Sequence, residues 1–260
     1  MTPAKAIGTL AFIAVAVLGL ANQDQPPPKL VQPQQPKPGN SKVVECRWLT
    51  GALKIDGVVN ERSWTDAEAI TLQVPWEKRA AKTATTARLL WDREYLYFSA
   101  EMDDGDLYAD VQNANGPVWE NDSFALFFKP HDTKLSYYEF GINAANVPFQ
   151  LFLPSRGGGG YKRFAAGTEI KIESAVKLRG TLNNWTDKDK GWTVEGRIPW
   201  SVFQPSGGRP KGGDRWRFAL CRSDYSVTLE RPELSTSAPL TAADFHHYEE
   251  YQELVFVERQ

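Results

Sequence analysis

Apolar and polar residues alternate with a period of two along most of the chain after about residue 43. In segment 95–102, for example, Leu96, Phe98, Ala100 and Met102 fall on one face of an extended chain. Nine runs of this kind, bounded by turn residues, predict strands at 85–91, 95–102, 123–128, 137–143, 147–153, 168–178, 192–198, 216–222 and 253–257. Helical signal is confined to about 60–69 and 199–203. The pattern predicts an all-β fold, a two-sheet antiparallel β-sandwich of jelly-roll type with one or two short helices.

The first 42 residues have a different pattern. Lys5 precedes an apolar run over 6–21, which indicates a secretory signal peptide at 1–21, with an uncleaved anchor as the alternative. Residues 22–42 are rich in Pro and Gln, which is typical of an extended linker. Residues 43–260 then form one domain, and we expect an exported, monomeric protein in the periplasm, outside the cell or on its surface. No integral membrane span is expected in the mature form.

The charge of the chain helps only to exclude one class of partner. The chain has 30 basic and 32 acidic residues and a net charge of −2, and no Lys/Arg block is interleaved with aromatic residues. Nucleic acid is therefore not an expected partner.

The chain has two cysteines, Cys46 and Cys221, near opposite ends of the domain. In an exported protein, a pair of cysteines is expected to form a disulfide. Two buried, unpaired thiols are the alternative.

The motif Trp119-Glu120-Asn121-Asp122-Ser123 lies directly before a predicted strand. A flat indole can stack on the C–H face of a pyranose, and neighbouring polar groups can bond its hydroxyls. Trp119, Glu120, Asn121 and Asp122 are therefore candidate sugar ligands. The alternatives are a Trp that fills one end of the core, and Asn121 and Asp122 side chains that bond backbone amides at the turn.

Several motifs, in this order along the chain, resemble the family 9 carbohydrate-binding modules and their bacterial relatives. They are Ile55-Asp56-Gly57 with Glu61 and Trp64, Leu90-Trp91-Asp92-x-x-Tyr95-Leu96-Tyr97-Phe98, Trp119-Glu120-Asn121-Asp122-Ser123, Tyr137-Tyr138-Glu139-Phe140-x-Ile142-Asn143, Gly191-Trp192-Thr193-Val194-Glu195 and Ile198-Pro199-Trp200. The resemblance spans about 43–257. It implies a β-sandwich that binds glycans and is often attached to, or secreted with, a glycoside hydrolase.

The resemblance also implies roles for individual residues. Trp119 would form one wall of an aromatic sandwich around a terminal sugar. The opposite wall in the family is a Trp in a late loop, but 233–245 contains no Trp here. Phe245, Tyr248 and Tyr251 are the nearest aromatic residues and are the candidate substitutes.

The family resemblance further implies structural calcium held by acidic loops. Asp103, Asp104 and Asp106 follow the predicted strand at 95–102, and Asp104 matches the family's acidic position best. Carboxylate oxygens are suitable Ca²⁺ ligands. A solvated acidic turn is the alternative.

Further candidates are polar or aromatic residues near loops. Arg222 ends the predicted strand at 216–222, where the chain enters the late loop region, and is a candidate polar partner for a sugar. Trp76 and Trp185 lie in polar loops and are additional stacking candidates. Five other tryptophans share faces with apolar residues and are predicted to be core: Trp64, Trp91, Trp192, Trp200 and Trp216.

The sequence thus favours non-catalytic glycan binding in the service of extracellular polysaccharide breakdown. One alternative is a glycoside hydrolase with paired carboxylates, because many Asp/Glu pairs can meet the required spacing. A second is a b-type haem module, since the same sandwich resembles haem domains that use Met as an axial ligand, and Met102 is a candidate. We expect Met102 to be core filler.

Overall fold

Fourteen β-strands dominate residues 43–259, the part of the chain that the computed structural model describes. In chain order they are β1 (Val44–Trp48), β2 (Ile70–Thr71), β3 (Gln73–Val74), β4 (Arg79–Ala80), β5 (Thr85–Trp91), β6 (Tyr95–Met102), β7 (Ser123–Lys129), β8 (Tyr137–Asn143), β9 (Pro148–Leu153), β10 (Glu173–Leu178), β11 (Trp192–Pro199), β12 (Arg215–Asp224), β13 (Glu233–Thr236) and β14 (Gln252–Val257). The signal peptide and linker predicted for 1–42 lie outside the described residues.

Helices are short, as the pattern predicts. The two α-helices are α1 (Arg62–Thr65) and α2 (Tyr161–Ala165). Single 3₁₀ segments span Pro75–Glu77, Val118–Glu120, Trp200–Ser206 and Tyr248–Glu250.

The strands form two packed layers. The first sheet has the order β10-β11-β6-β5-β1, with β2 also on β5, and the second has the order β9-β8-β7-β12-β13-β3-β4. β14 connects them, because it pairs with β1 of the first sheet and β12 of the second. The all-β sandwich is therefore confirmed, with one departure from a purely antiparallel arrangement: β1 runs parallel to both β5 and β14.

The main hydrophobic core lies between the sheets and follows from the period-two pattern. Phe98 and Met102 of β6 belong to it, together with Leu126 and Phe128 of β7 in the other sheet, and all four are fully buried. Met102 is thus a core side chain. The five tryptophans predicted to be core are each at most 6 % exposed. Burial of rings of this size is a dominant favourable contribution to folding.

Each sheet also has an outer face with a smaller cluster. On the first sheet, Leu90 and Tyr97 are covered by Trp64 and Ala67 from the segment that follows β1. On the second sheet, Phe127, Tyr137, Leu151 and neighbouring residues form the outer cluster. This second outer face carries the candidate site.

The disulfide prediction is wrong in this structure. Cys46 and Cys221 are both free and buried. Cys46 faces the core between the sheets, whereas Cys221 faces the outer cluster of the second sheet. The second sheet therefore lies between the two sulfur atoms, which are on opposite sides of it.

Within residues 43–259, the helices are all too short to cross a lipid bilayer.

Candidate functional site

The outer face of the second sheet carries a group of half-buried aromatic side chains, which we call the aromatic patch. Its members are Trp76, Trp119, Tyr161, Phe164 and Phe245, all packed against the buried outer cluster. They come from four separate segments of the chain. Half-buried rings above a rigid sheet provide apolar surface that is partly accessible to a ligand.

Trp119 is held at one end of the patch by perpendicular ring contacts. Its ring centroid lies 5.3 Å from that of Phe149 and 4.8 Å from that of Tyr161, with interplanar angles of 88° and 84°. Gly141 of β8 makes room for this segment, because a Cβ atom there would approach Val118 Cγ2 to 3.0 Å. Trp119 is therefore fixed against the sheet and keeps part of its surface accessible.

The residues after Trp119 anchor the loop and do not face solvent. Asn121 is fully buried; its Oδ1 accepts from the Val111 amide at 3.0 Å and from Asn143 Nδ2 at 3.0 Å, and its Nδ2 donates to Asp110 at 2.8 Å. Asp122 is also fully buried. The prediction that Asn121 contacts a sugar is wrong, because the oxygen and the nitrogen of its amide are both already bonded to the protein.

Asp122 accepts two backbone hydrogen bonds. Its Oδ2 accepts from the Tyr108 amide at 2.6 Å and its Oδ1 from the Tyr225 amide at 2.6 Å. The Tyr225 hydroxyl in turn donates to the Trp119 carbonyl at 3.1 Å. Asp122 therefore positions the Trp119 loop from inside the protein, and the prediction that it contacts a sugar is wrong.

A buried carboxylate cluster adjoins Asp122. Carboxylate oxygens of Asp104, Asp122 and Asp224 lie within 4.8 Å of one another, and all three residues are buried. Arg222, only 1 % exposed, donates from Nη2 to Asp104 at 2.9 Å and lies 3.4 Å from Asp224. Arg222 is therefore an internal counterion, and the prediction that it bonds a sugar is wrong, since its guanidinium is enclosed.

The cluster fits a divalent cation in charge and ligand type. Three carboxylates against one guanidinium leave two uncompensated negative charges when all groups are ionised. Burial raises the pKa of Asp104 and of Asp122, and repulsion from the neighbouring carboxylates adds to it. Asp104, Asp122 and Asp224 are the residues that would hold a Ca²⁺ ion.

Two of the predicted calcium ligands lie elsewhere. Asp103 is exposed and pairs with Arg179 at 3.6 Å. Asp106 accepts from the Val227 amide at 2.7 Å. Both side chains are bonded outside the cluster, so only Asp104 of the three predicted residues belongs to it. Asp224, the third member, was missed because it lies at the end of β12, far from the acidic run in sequence.

The three late aromatic residues differ in accessibility. Phe245 is half-buried, with its ring centroid 6.3 Å from that of Phe127. Tyr248 is 8 % exposed and Tyr251 is 2 % exposed. Tyr248 packs against Tyr137 at 5.2 Å, beneath the Arg156 guanidinium at 4.9 Å. Phe245 thus remains a candidate second wall, whereas the prediction that Tyr248 contacts a ligand is wrong because other side chains cover its ring.

The remaining candidates are at the surface. Glu120 is exposed beside Trp119, and Trp76 lies at the far side of the patch, beyond β13 and β3. Trp185 is 69 % exposed and is outside the patch.

One polar residue of the patch was missed by the sequence analysis. Glu139, in the middle of β8, faces the patch and is half-buried, whereas its cross-strand partner Phe127 is buried. Burial raises the pKa of Glu139 to about 8. The motif Tyr137–Asn143 contains this residue, but its face could not be assigned without knowing which side of the strand is the core.

Two open grooves lie away from the patch. One, about 480 Å³, is lined by charged residues that include Arg88, Glu101 and Arg179, and the other, about 460 Å³, lies around Thr50 and Asp66. Neither is lined by an aromatic residue. Stacking chemistry is therefore associated with the patch.

Comparison with known proteins identifies the family of the chain. The model of the carbohydrate family 9 binding domain-like family matches residues 55–257. The chain belongs to this family. The match covers every strand after β1, the Trp119 loop and the carboxylate cluster.

Similar proteins include enzymes much longer than this family 9 domain. The chain is 31 % identical over 162 residues to endo-1,4-beta-xylanase A of Thermotoga maritima, covering 60 % of this chain and 13 % of that protein. It is 28 % identical over 174 residues to exoglucanase XynX of Acetivibrio thermocellus, covering 61 % of this chain and 15 % of that protein. The chain thus spans only a small part of the curated relatives it matches.

Solved structures share the fold. A family 9 carbohydrate-binding module from Caldicellulosiruptor kristjanssonii, in complex with cellotriose, has a TM-score of 0.58 at 18 % identity, covering 84 % of this chain and 95 % of that one. A carbohydrate-binding protein described from Bacteroides uniformis has a TM-score of 0.64 at 17 % identity, covering 83 % of this chain and 99 % of that one.

Proposed function

We propose that this domain binds carbohydrate without chemistry of its own, by stacking a sugar ring on Trp119 and bonding its hydroxyls within the aromatic patch. The observation that carries this proposal is the position of Trp119. Its ring is half-buried, held by Phe149 and Tyr161, and its loop is fixed from below by Asn121 and Asp122. A preformed aromatic surface lowers the entropy lost on binding.

Family membership supports the ligand class. The family module from Caldicellulosiruptor kristjanssonii holds cellotriose in one structure and glucose in another. Phe245 would form the second wall, in place of a tryptophan. A smaller ring on that side predicts a more open site. Cello-oligosaccharides are therefore the first probes.

The decisive experiment compares two tryptophan variants by calorimetry with cellotriose and by retention on insoluble cellulose and xylan. We expect Trp119→Ala to lower affinity about tenfold, because loss of one stacking ring removes about 1–2 kcal/mol. Trp185→Ala, which removes an exposed ring outside the patch, is the matched control and is expected to change affinity less than twofold. Equal binding by wild type and Trp119→Ala contradicts the proposal.

The same incubations separate a binding module from a hydrolase. Oligosaccharides recovered after prolonged incubation are expected to be unchanged in length. Release of shorter products by the purified domain contradicts the non-catalytic role.

Calcium is proposed as a structural ion at Asp104, Asp122 and Asp224. Its effect would be to hold the loop that carries Trp119, because Asp122 bonds the Tyr225 amide. Melting in calcium is expected to occur several degrees above melting in chelator, since an ion that binds only the folded state stabilises it. Asp224→Asn should remove this shift, whereas Asp103→Asn should retain it. Identical melting curves with calcium and chelator contradict the proposal.

We also propose that the domain is exported as a monomer and serves a polysaccharide-degrading enzyme. The apolar run at 6–21 and the Pro/Gln-rich segment at 22–42 support export. The relatives named as xylanases support a glycoside hydrolase as the partner. Mass spectrometry of the secreted protein should give a mature chain that starts near residue 22; an uncleaved amino terminus contradicts this expectation.

A further inference from the structure

The sheet beneath the aromatic patch is accessible to solvent at one place. All residues of β7 are buried except Ala125, and all residues of β8 are buried except Glu139. The strand register pairs Ala125 with Gly141 and Phe127 with Glu139, so the two accessible residues are diagonal neighbours on one face. Solvent therefore reaches the middle of this sheet at Ala125 and Glu139, where the surrounding residues are covered.

Glu139 lies between the two aromatic ends of the patch. On one side, Phe149 pairs with Gly141, two residues along β8, and packs against Trp119. On the other side, its cross-strand partner Phe127 packs against Phe245. A sugar held between Trp119 and Phe245 would therefore lie over Glu139.

The Glu139 carboxyl has no protein partner among residues 43–259. It makes no hydrogen bond or ion pair there, and its cross-strand neighbours Leu151 and Phe127 are apolar and buried. A half-desolvated polar group without a partner destabilises the free protein. The loss is recovered if a ligand supplies the missing hydrogen bonds.

Two cations at the edge of this face are engaged by other groups. Arg156 makes a bidentate ion pair with Glu249, at 2.7 and 2.9 Å. Lys129 donates to the carbonyls of His131, Asp132 and Lys134. The described residues therefore leave Glu139 to a partner from outside the domain.

Resting on the carbohydrate-binding function proposed above, we propose that Glu139 is a ligand-binding residue whose carboxylate accepts hydrogen bonds from hydroxyl groups of a neutral sugar stacked on Trp119. Hydroxyl groups donate to a carboxylate in charge-assisted bonds, which are stronger than neutral ones. Where Glu139 is ionised, above its pKa of about 8, a uronic acid at this position is disfavoured because the two carboxylates repel each other. The residue thus selects neutral saccharides over acidic ones.

Two substitutions test this role by calorimetry at pH 9, where Glu139 is mostly ionised, with cellotriose, and with glucose and glucuronate as the neutral and the acidic monosaccharide probes. Glu139→Leu removes the polar atoms at similar volume and is expected to weaken cellotriose binding about tenfold. Glu139→Gln retains an acceptor oxygen and is expected to stay within about fivefold of wild type. Wild type should not bind glucuronate detectably. Cellotriose binding by Glu139→Leu within twofold of wild type, or glucuronate binding as tight as that of glucose, overturns the proposal.

The pH profile gives a readout that a merely structural role would not move. Because burial raises the pKa of Glu139 to about 8, hydroxyl donors that favour the carboxylate should strengthen cellotriose binding as the pH rises from about 6 to about 8.5. Glu139→Gln should show a flat profile. A wild-type profile as flat as that of Glu139→Gln overturns the acceptor role.

The other titratable groups around Glu139 are the same in wild type and in Glu139→Gln. Tyr137, Cys221 and Tyr251 interact with its charge, and burial raises the pKa of each. The pKa of His246, which bonds Tyr137 at 2.8 Å, is lowered by burial. The segments that cover this face also carry other charged or titratable residues, which are common to wild type and variant: Arg156, Lys162, Arg163, Asp244, His247, Glu249 and Glu250. The difference between the two profiles therefore isolates Glu139.

Failure of this inference and failure of carbohydrate binding are distinguishable. If wild type binds cellotriose, Trp119→Ala binds it about tenfold more weakly, and Glu139→Leu binds it as wild type does, only the role of Glu139 is overturned. If wild type binds neither cellotriose nor cellulose nor xylan, the proposed function itself fails. Thermal melting of each variant confirms that the compared proteins are folded.

Discussion

The two outer faces of the sandwich each place a glutamate among apolar side chains, with opposite outcomes. On the first sheet, Glu195 is fully buried; its Oε1 accepts from Trp64 Nε1 at 2.8 Å and its Oε2 from the Gly57 amide at 3.0 Å. On the second sheet, Glu139 is half-buried and makes no hydrogen bond within residues 43–259. On the first face the protein itself bonds the carboxylate, whereas on the second face the Glu139 carboxyl has no protein partner among the described residues and is free for the ligand proposed above.

The difference between Glu195 and Glu139 lies in their hydrogen bonds, because burial affects both residues in the same direction. Both carboxyl groups have a pKa raised by burial. Hydrogen bonds from Trp64, Asp56 and Gly57 oppose that rise at Glu195. Burial alone therefore does not distinguish the two glutamates. They differ in the number of their protein partners, and the proposed binding role falls to the one that has none.

The largest expected effect on stability comes from replacing Glu195 on the first sheet. Glu195→Leu leaves the Trp64 indole and the Gly57 amide without acceptors, so we expect the free energy of unfolding to fall by about 3 kcal/mol or more. Cellotriose affinity of the folded variant should be unchanged. Urea unfolding and calorimetry measure the two quantities. A stability loss below about 1 kcal/mol, the size of an ordinary exposed hydrogen bond, would show that the glutamates do not differ as described.

A smaller effect, of opposite sign, is expected at the second face. The pKa of Glu139 is about 8 in the folded state against an ordinary value of 4.5, so the folded state binds more protons between these values and stability falls as the pH rises through that window. Glu139→Gln lacks this loss. Because Glu139 retains contact with solvent, we expect the variant to be more stable than wild type by only about 1–2 kcal/mol at pH 9.

Urea unfolding at pH 5 and pH 9 provides the measurement. Near pH 5 wild type and Glu139→Gln should be nearly equal in stability. A variant less stable than wild type at pH 9 would mean that protein groups stabilise the Glu139 carboxylate, which would remove the contrast with Glu195.

The smallest effect concerns the two cysteines. Cys46 and Cys221 are unpaired on opposite sides of a sheet, so a reducing agent should leave the melting temperature unchanged within about one degree. Thiol titration of the unfolded protein should detect two free groups. A melting temperature that falls by several degrees on reduction would show that the pair is oxidised.

The fold was largely predictable from sequence, because apolar and polar residues alternate clearly along a strand that has one buried face. All nine predicted strands are present, although only Glu173–Leu178 of the predicted 168–178 is strand. The missed strands were β1, β13 and three two-residue strands, which are too short or too irregular to show a period.

The site was less predictable. Trp119 was predicted because an indole can stack on a sugar and because its motif resembles that of the family. Asn121, Asp122 and Arg222 were assigned to ligand because their chemistry suits sugars, but long-range contacts bury them. Glu139 was missed since its role depends on which face of β8 is covered, a property of tertiary packing that a single strand does not encode.

The pairing of strand β12 has a consequence for how the protein unfolds. It bonds β14 along its first half, β13 along its second half and β7 along most of its length, so the hydrogen-bonded ladder runs without a break from one layer to the other. The two layers can separate only if the ladder that joins β1, β14 and β12 is broken. We therefore expect backbone amides of both layers to exchange with solvent in one common opening event, with Arg222 and the neighbours of Trp119 released in the same step.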